Sequence, residues 1–182
     1  MRRYAPLAFL ISAIWLAHLA NIALSGAMTR TLGLIPRRLD GLDGVFAMPF
    51  LHGNWEHLWA NTAPLLILGA VILTLAPRRF WPATIICVVL GGLLIWIFAR
   101  GHNHIGASAL VFGWFGFLVA LGVLERSATA ALGAALAIVA YGAQTVLGLM
   151  PGDARVSWDG HLAGLAAGFL AAWRLREPVR RG

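Results

Sequence analysis

The chain contains no lysine, only one cysteine and few charged side chains of either sign. Charged residues make up 12% of its 182 residues, whereas hydrophobic residues make up 60% and the mean hydropathy is +0.80. A soluble domain of this length carries about twice that share of charge, so the composition excludes an ordinary soluble protein. The single cysteine, Cys87, excludes an intramolecular disulfide, and its place in an apolar run is typical of a small buried residue.

What the chain has instead is six long apolar segments, which predict an all-α membrane protein with six transmembrane helices in one domain, residues 1–182. A helix needs about 20 residues to cross a hydrocarbon core of about 30 Å, and most segments reach or approach that length. The first segment is too long for a removed signal peptide, and it lacks a clear small-residue cleavage site. The predicted spans are Leu7–Met28, His57–Ala76, Pro82–Ala99, Ser108–Leu124, Ala128–Met150 and Gly160–Trp173.

The arginines predict the orientation of these spans. With the N-terminus in the cytoplasm, nine of the 14 arginines are cytoplasmic and five lie outside, whereas five of the seven acidic residues lie outside. The positive-inside rule therefore predicts that both termini are cytoplasmic. The cytoplasmic arginines are Arg2, Arg3, Arg78, Arg79, Arg126, Arg174, Arg176, Arg180 and Arg181, and the outer ones are Arg30, Arg37, Arg38, Arg100 and Arg155.

The net charge of +7 does not predict a nucleic-acid partner. The arginines flank the spans instead of forming one basic face, so membrane topology explains them better. The expected partner is the lipid bilayer. Short loops and the exclusive use of arginine favour a bacterial inner (plasma) membrane, and the sequence specifies no oligomeric state.

The connection between the first two spans, residues 29–56, is the longest and lies outside by the charge argument. It contains LGLIPRRLDGLDGVFAMPFLHGNWEH, which is too apolar for a solvated linker or a disordered segment. Its large side chains favour a loop that packs on the protein or enters the membrane interface. They are Phe46, Met48, Phe50, Leu51 and Trp55.

Polar residues that a membrane span does not explain fall near the outer ends of the second, fourth and sixth spans. A polar group in the hydrocarbon region is costly, and it is a functional-site hypothesis by default. Because several such groups converge on one side of the membrane, we expect a site there. They are His52, His57, Asn61, His102, Asn103, His104, Ser108, Asp159 and His161.

Spacing places several of these groups in useful positions. His57 and Asn61 are four residues apart, so they share one face of the second span, and both side chains have hydrogen-bond donors. Ser108 follows Gly106 at the start of the fourth span, where the first-turn N–H groups of a helix have no intrahelical partner.

The sixth span contains HLAGLAAG, in which His161, Gly164 and Gly168 share a face. Small residues let another helix approach closely, and the fourth span offers a matching small face. Packing these faces together would bring His161 to Ser108. The small residues of the fourth span are Ala109, Gly113 and Gly116.

A serine beside a histidine is the arrangement that acyl transfer requires. The serine hydroxyl becomes a good nucleophile when a base removes its proton, and histidine is the usual base. The oxyanion of the tetrahedral intermediate needs donors aimed at it beforehand. The N–H of Ser108 and the side chains of Asn61 and His57 are the candidate donors.

Simpler interpretations of these residues stay open. Isolated small residues are typical of helix packing, and a single histidine near a span end is usually an interfacial hydrogen-bonding residue. We interpret His18, Asn21 and Gln144 as interfacial in this way.

Histidine pairs also suggest metal binding, as in His52 with His57 or His102 with His104. No carboxylate or thiolate completes either pair at a recognisable spacing, so we expect no metal and no other cofactor.

Three motifs together resemble the rhomboid intramembrane serine proteases. They are FLHGNWEHLWAN in the second span, GASALVFGWFGFL in the fourth and DGHLAGLAAGF in the sixth, in the family's order and topology. The resemblance runs from about Gly41 to Trp173, and it implies a six-helix rhomboid-like bundle with a long first outer loop.

The resemblance also implies roles for individual residues. Ser108 would be the nucleophile and His161 its general base, without an acidic third member. His57, Asn61 and the Ser108 N–H would form the oxyanion hole, and His52 would be structural. Phe112 stands where the family usually has a tyrosine that stacks on the catalytic histidine.

One departure concerns the residue after the serine, where Ala109 replaces the family's usual glycine. Its methyl group would either crowd the contact with the sixth span or be absorbed beside Gly164. The implied substrates are single-span membrane proteins, cleaved near the outer membrane face. The alternatives are a pseudoprotease that binds transmembrane helices without cutting them and, less favoured, a small transporter or channel.

Overall fold

The structure is a computed structural model that describes residues 2–151 and 157–177. Asp153, Arg155, Arg180 and Arg181, which entered the charge argument, lie outside the described residues. The regular elements within the described ranges are helices. They are α1 (Ala5–Ala23), α2 (Ala27–Thr31), α3 (Gly44–Ala47), α4 (Trp55–Leu75), α5 (Phe80–Phe98), α6 (Ser108–Leu124), α7 (Ala128–Gly148) and α8 (Trp158–Leu175).

Four of these helical segments are long and apolar enough to cross a membrane. They comprise α1 with its preceding turn, α4, α5 with its preceding turn, and α7. The helix α6 is also apolar but has only 17 residues, and α8 has 18 residues and begins with polar ones. Each of the six predicted spans therefore corresponds to one long helix.

The largest difference from the predicted spans is at the end of α1, which stops at Ala23 instead of continuing to Met28. Ser25 and Gly26 both have positive φ, and residues in that conformation cannot continue a right-handed helix. Other helix ends have local causes in the sequence. The side chain of Asn54 accepts a hydrogen bond from the N–H of His57 at the start of α4.

The centre of the bundle is α6, which packs on α8 through glycines. A β-carbon at Gly164 would overlap the backbone of Ala109, and one at Gly168 would overlap the carbonyl of Gly113. The backbones of the two helices therefore touch, as the small faces predicted. On another side of α6, the fully buried Trp114 donates a hydrogen bond to Thr84 Oγ1 of α5 at 3.2 Å.

The first loop is folded, with α2, α3 and two 3-10 turns, Leu39–Gly41 and Met48–Phe50. Arg37 donates hydrogen bonds to the carbonyls of Ile97 and Ala99 at the end of α5. Val45 packs on Gly92 of α5, where a β-carbon would lie 2.9 Å from its Cγ1. Of the large apolar residues predicted to anchor this loop, Met48 and Leu51 are buried and Phe46 is exposed.

The two ends of the bundle differ in their connections. We call the end with the first loop and the start of α6 the loop end, and the end with residues 76–79 and 125–127 the turn end. At the turn end Arg79 forms ion pairs with Glu125 at 2.7 Å and Glu177 at 3.0 Å. The backbone N–H of Glu177 also donates to Glu125 Oε1, which fastens the segment after α8 to the end of α6.

Candidate active site

A cavity of about 370 Å³ opens at the loop end between α4, α6, α7 and α8. It brings together four residues that the sequence predicts to share a site: His57, Asn61, Ser108 and His161. Phe112 also lines it. Further lining residues without a predicted role in the site are Ala60, Pro64, Ile105, Val111, Tyr141, Gln144, Thr145 and Ser157.

Ser108 is the first residue of α6 and is half-buried. The preceding Gly106 has φ +109°, which favours glycine, and its N–H donates to the carbonyl of Met48 at 3.0 Å. A β-carbon at Gly106 would lie 2.5 Å from His57 Nε2. The loop therefore holds the start of α6 tightly against α4, and no side chain caps the first-turn N–H groups of α6.

His161 lies in the first turn of α8 and is held by a backbone carbonyl and a ring. Its Nδ1 is 2.8 Å from the carbonyl oxygen of Gly148. A carbonyl only accepts, so Nδ1 carries the proton, and the neutral ring has its lone pair on Nε2. Phe112 stacks on the imidazole with centroids 4.1 Å apart and planes 8° from parallel.

Gly148 is required at its position at the end of α7. A β-carbon there would lie 2.6 Å from Phe112 Cζ and 3.1 Å from His161 Nδ1. Sequence analysis missed the orienting role of Gly148 because a backbone carbonyl leaves no signal in residue type.

Ser108 and His161 line one cavity. Between these two described residues there is no direct hydrogen bond. Hydrogen bonds of this kind are often long in substrate-free enzymes and tighten in the complex. The cavity therefore brings together a serine hydroxyl and an imidazole whose proton is on Nδ1.

The candidate oxyanion donors lie on one face of α4. Asn61 is buried, and its Nδ2 donates one hydrogen to the carbonyl of His57 at 3.0 Å. An amide nitrogen has a second hydrogen, which remains for a ligand. Pro64, one turn further along α4, has no N–H, so the carbonyl of Ala60 lacks its usual helical donor at the cavity wall.

His52 lies behind His57 and is fully buried, with ring centroids 5.0 Å apart. Neither ring nitrogen of His52 has a hydrogen-bond partner among the described residues. Burial lowers the pKa of His52 to about 3, so the ring is neutral near pH 7. Its backbone carbonyl is 3.2 Å from Nδ1 of His18.

Two residues that we predicted to be interfacial are core residues instead. His18 is buried by contact with the His52 segment, and Asn21 is buried where its Oδ1 accepts from the N–H of Thr29. The prediction is wrong because the folded first loop covers this part of α1. Gln144 is exposed and lines the cavity.

Ala109 does not crowd the contact between α6 and α8. Its side chain belongs to a separate apolar cluster, and Gly164 lies against its backbone instead. The extra methyl group is therefore absorbed by α5 and the first loop. The buried members of this cluster are Leu34, Val45, Met48, Ile95, Ala99 and Ala109.

The structure also completes a histidine pair that the sequence left without a carboxylate. Ligand atoms of His102, His104 and Asp159 lie within 4.8 Å of one another. Asp159 joins this pair in space, although its distance along the chain gives no recognisable ligand spacing in the sequence. Asp159 is nevertheless ion-paired with Arg100, and both ring nitrogens of His104 have hydrogen-bond partners, so the set does not fit a metal site.

Comparison with known proteins identifies the family. Residues 41–178 match the Rhomboid domain. The chain is 39% identical over 180 residues to the uncharacterized protein Rv1337 of Mycobacterium tuberculosis, covering 94% of this chain and 74% of that protein. It is 39% identical over 153 residues to the uncharacterized protein ML1171 of Mycobacterium leprae, covering 79% and 60%.

The chain therefore belongs to the rhomboid family, which confirms the resemblance drawn from its three motifs. Membership of this family and several long apolar helices indicate an integral, multi-pass membrane protein. The family consists generally of intramembrane serine proteases.

Proposed function

We propose that this protein is a six-span intramembrane serine protease that hydrolyses single-span membrane proteins near the outer membrane face. Ser108 is the nucleophile and His161 the general base. The observation that carries the proposal is the hydrogen bond from His161 Nδ1 to the carbonyl of Gly148, because it leaves a basic Nε2 in the cavity that Ser108 lines.

The reaction proceeds by acyl transfer. As Ser108 Oγ bonds to the substrate carbonyl carbon, its proton passes to His161 Nε2. The oxyanion accepts hydrogen bonds from the Ser108 N–H, the second Nδ2 hydrogen of Asn61, and His57. The C–N bond then breaks, His161 gives its proton to the leaving amine, and a water deprotonated by His161 hydrolyses the acyl-enzyme.

Asp159 takes no part in these proton transfers. Its carboxylate accepts hydrogen bonds from Arg100 and from the N–H of Gly160, whereas the imidazole of His161 is held by Gly148 and Phe112. A backbone carbonyl and an aromatic face replace the acid that orients the base in a Ser-His-Asp triad.

The lengths of the helices support a site below the membrane surface. At 1.5 Å per residue, α6 and α8 are about 26 and 27 Å long, shorter than a hydrocarbon core of about 30 Å. Ser108 and His161 stand at the loop ends of these two helices, and the cavity gives them access to water. The arginine distribution supports an orientation with this end outside and both termini in the cytoplasm, and the proposed location is a bacterial inner membrane.

Substrates need a locally unwound segment, since the carbonyl of a helical peptide bond is shielded and already hydrogen-bonded. Small or helix-breaking residues near the scissile bond would supply it. The carbonyl of Ala60, which lines the cavity and has no N–H of Pro64 to accept, would accept an N–H of the unwound strand.

One observation favours the alternative, a pseudoprotease that binds transmembrane helices without cleaving them. It is the missing hydrogen bond between the described residues Ser108 and His161.

Reaction with a fluorophosphonate probe in detergent separates the two functions without knowledge of the substrate. A protease labels in the wild type and loses at least about 10³-fold in labelling rate in both Ser108→Ala and His161→Ala. A folded, monodisperse wild type that does not label would establish the pseudoprotease instead.

A further inference from the structure

A polar network at the loop end joins the segment before α6 to the start of α8. Arg100 donates to Asp159 Oδ2 from its backbone N–H at 2.8 Å and from Nε at 3.0 Å. Ser157 Oγ lies 3.1 Å from Asp159 Oδ1 and 2.8 Å from His104 Nδ1. We call Arg100, His104, Ser157 and Asp159 the clasp.

The hydrogens of the clasp can be placed by counting donors. His104 Nε2 faces the carbonyl of Arg100 at 3.1 Å, so that nitrogen carries a proton. Burial lowers the pKa of His104, so near pH 7 the ring is neutral and Nδ1 accepts the hydroxyl proton of Ser157. Asp159 then binds Arg100 and the N–H of Gly160, and every member of the clasp has a partner.

The clasp is close in sequence to His161 on one side and to Ser108 on the other. The backbone carbonyl of Ser157 accepts the N–H of His161 at 2.9 Å, which closes the first turn of α8. On the other side, His104 is two residues before Gly106 and is fixed to the first loop by paired backbone bonds with Leu34. The clasp therefore fixes the start of α8 relative to the loop that leads to Ser108.

The remaining contacts do not by themselves fix the position of the start of α8 relative to the loop that leads to Ser108. Glycine packing between α6 and α8 sets how closely the helices approach at Gly164 and Gly168, which lie further along α8 than His161. The bond to Gly148 orients the imidazole but belongs to α7 and not to α6.

We propose that Asp159 and His104 are positioning residues, which set the distance from His161 Nε2 to Ser108 Oγ through the clasp without touching the reacting atoms. This inference rests on the proposed function. An error of about 1 Å in such a distance costs up to about 10²-fold in rate.

The test measures the inactivation rate constant and the binding constant of the fluorophosphonate for purified full-length protein, with the thermal midpoint alongside. Asp159→Asn keeps the size of the side chain and removes its charge. Ser157→Ala is milder, because it removes the hydrogen bond between His104 and the residue before α8 and leaves the ion pair in place. We expect the inactivation rate constant to fall about 10-fold or more in Asp159→Asn and less in Ser157→Ala, with the binding constant unchanged.

Glu125→Gln is the matched control. Glu125 and Asp159 are each the carboxylate of an arginine ion pair, and each side chain is 10% exposed, but Glu125 lies at the turn end. We expect Glu125→Gln to lower the thermal midpoint like Asp159→Asn and to leave the inactivation rate constant at its wild-type value.

The outcomes separate the inference from the function on which it rests. Wild-type labelling with an unchanged rate constant in both Asp159→Asn and Ser157→Ala would overturn the clasp and leave the protease intact. Equal loss of rate in Glu125→Gln would also overturn it, since the effect would then reflect stability alone. A folded wild type without labelling would overturn the proposed function and this inference together.

Discussion

The two ends of the bundle each combine a cavity with an arginine–carboxylate network, yet among the described residues only the loop end brings a serine and a histidine together. The cavity at the turn end is the larger, at about 430 Å³ against about 370 Å³. Its walls include Arg79, Glu125 and Ser127, but no imidazole is among the described residues that line it. The hydroxyl of Ser127 caps α7 by accepting from the N–H of Ala130.

The comparison of the two ends shows that neither the volume of a cavity nor a buried ion pair indicates where the candidate reactive residues lie. At both ends an arginine ties helix ends together, which is a structural task. The loop end adds a histidine with a fixed tautomer, an amide with a spare hydrogen and an uncapped helix start. Changes at the loop end should therefore affect reactivity, whereas changes at the turn end should affect stability alone.

The largest effect is expected where α6 and α8 touch. In Gly164→Ala the new methyl group overlaps the backbone of Ala109, so the helices must separate. We expect a loss of about 1–3 kcal/mol in the free energy of unfolding and loss of labelling. In the control Gly142→Ala the methyl group meets only Ile138 Cγ2, at 3.4 Å, so stability and labelling should hold. Equal behaviour of the two variants would contradict the close packing.

The second largest effect is expected on the reaction rate, from removal of a single candidate oxyanion donor, Asn61. Asn61→Ala should lower the rate of cleavage or labelling by about 10²-fold, since Asn61 lines the cavity and its Nδ2 has a second hydrogen beyond the one donated to His57. Asn61→Asp, which keeps the shape and loses the donor, should be at least as slow. Wild-type rates in Asn61→Asp would remove Asn61 from the oxyanion hole.

A smaller effect on the labelling rate is expected from changes at Phe112, whose ring stacks on His161. Phe112→Leu keeps an apolar side chain but loses the parallel face against His161, and we expect labelling to slow by about 10-fold. Phe112→Tyr retains the ring and should react like the wild type. If Phe112→Leu and Phe112→Tyr are labelled at the same rate, stacking of an aromatic ring does not position His161.

The last effect concerns the pH dependence of stability, through His52. Burial lowers its pKa to about 3, so below its ordinary value of 6.5 the unfolded chain binds a proton that the folded chain does not. The free energy of unfolding therefore decreases as the pH falls from 6.5 towards 3, by about 2 kcal/mol between pH 7.5 and pH 5. Unfolding at several pH values should show a flatter slope for His52→Gln, and identical slopes would exclude His52 as the source.

Much of the bundle follows from patterns that a membrane imposes. Apolar runs predict the six long helices, and the spacing of Gly164 and Gly168 predicts the contact of α8 with α6. His57 and Asn61 share a face because helix geometry fixes the period of four. These features depend on neighbours in sequence or on repeated small residues.

The remaining features depend on tertiary contacts that residue types do not encode. The carbonyl of Gly148 reaches His161 across the α7–α8 connection, and Asp159 meets Arg100 from 59 positions away. The burial of His18 depends on how the first loop folds over α1. To predict any of these contacts, one must know the relative positions of at least two helices or loops. Apolar periodicity does not give those positions.

The central claim is that His161 activates Ser108, and the most direct measurement is the site of fluorophosphonate attachment, read by peptide mass spectrometry. The account predicts a single adduct on Ser108 in the wild type and none in His161→Ala. An adduct on another serine, or one on Ser108 that persists without His161, would contradict it.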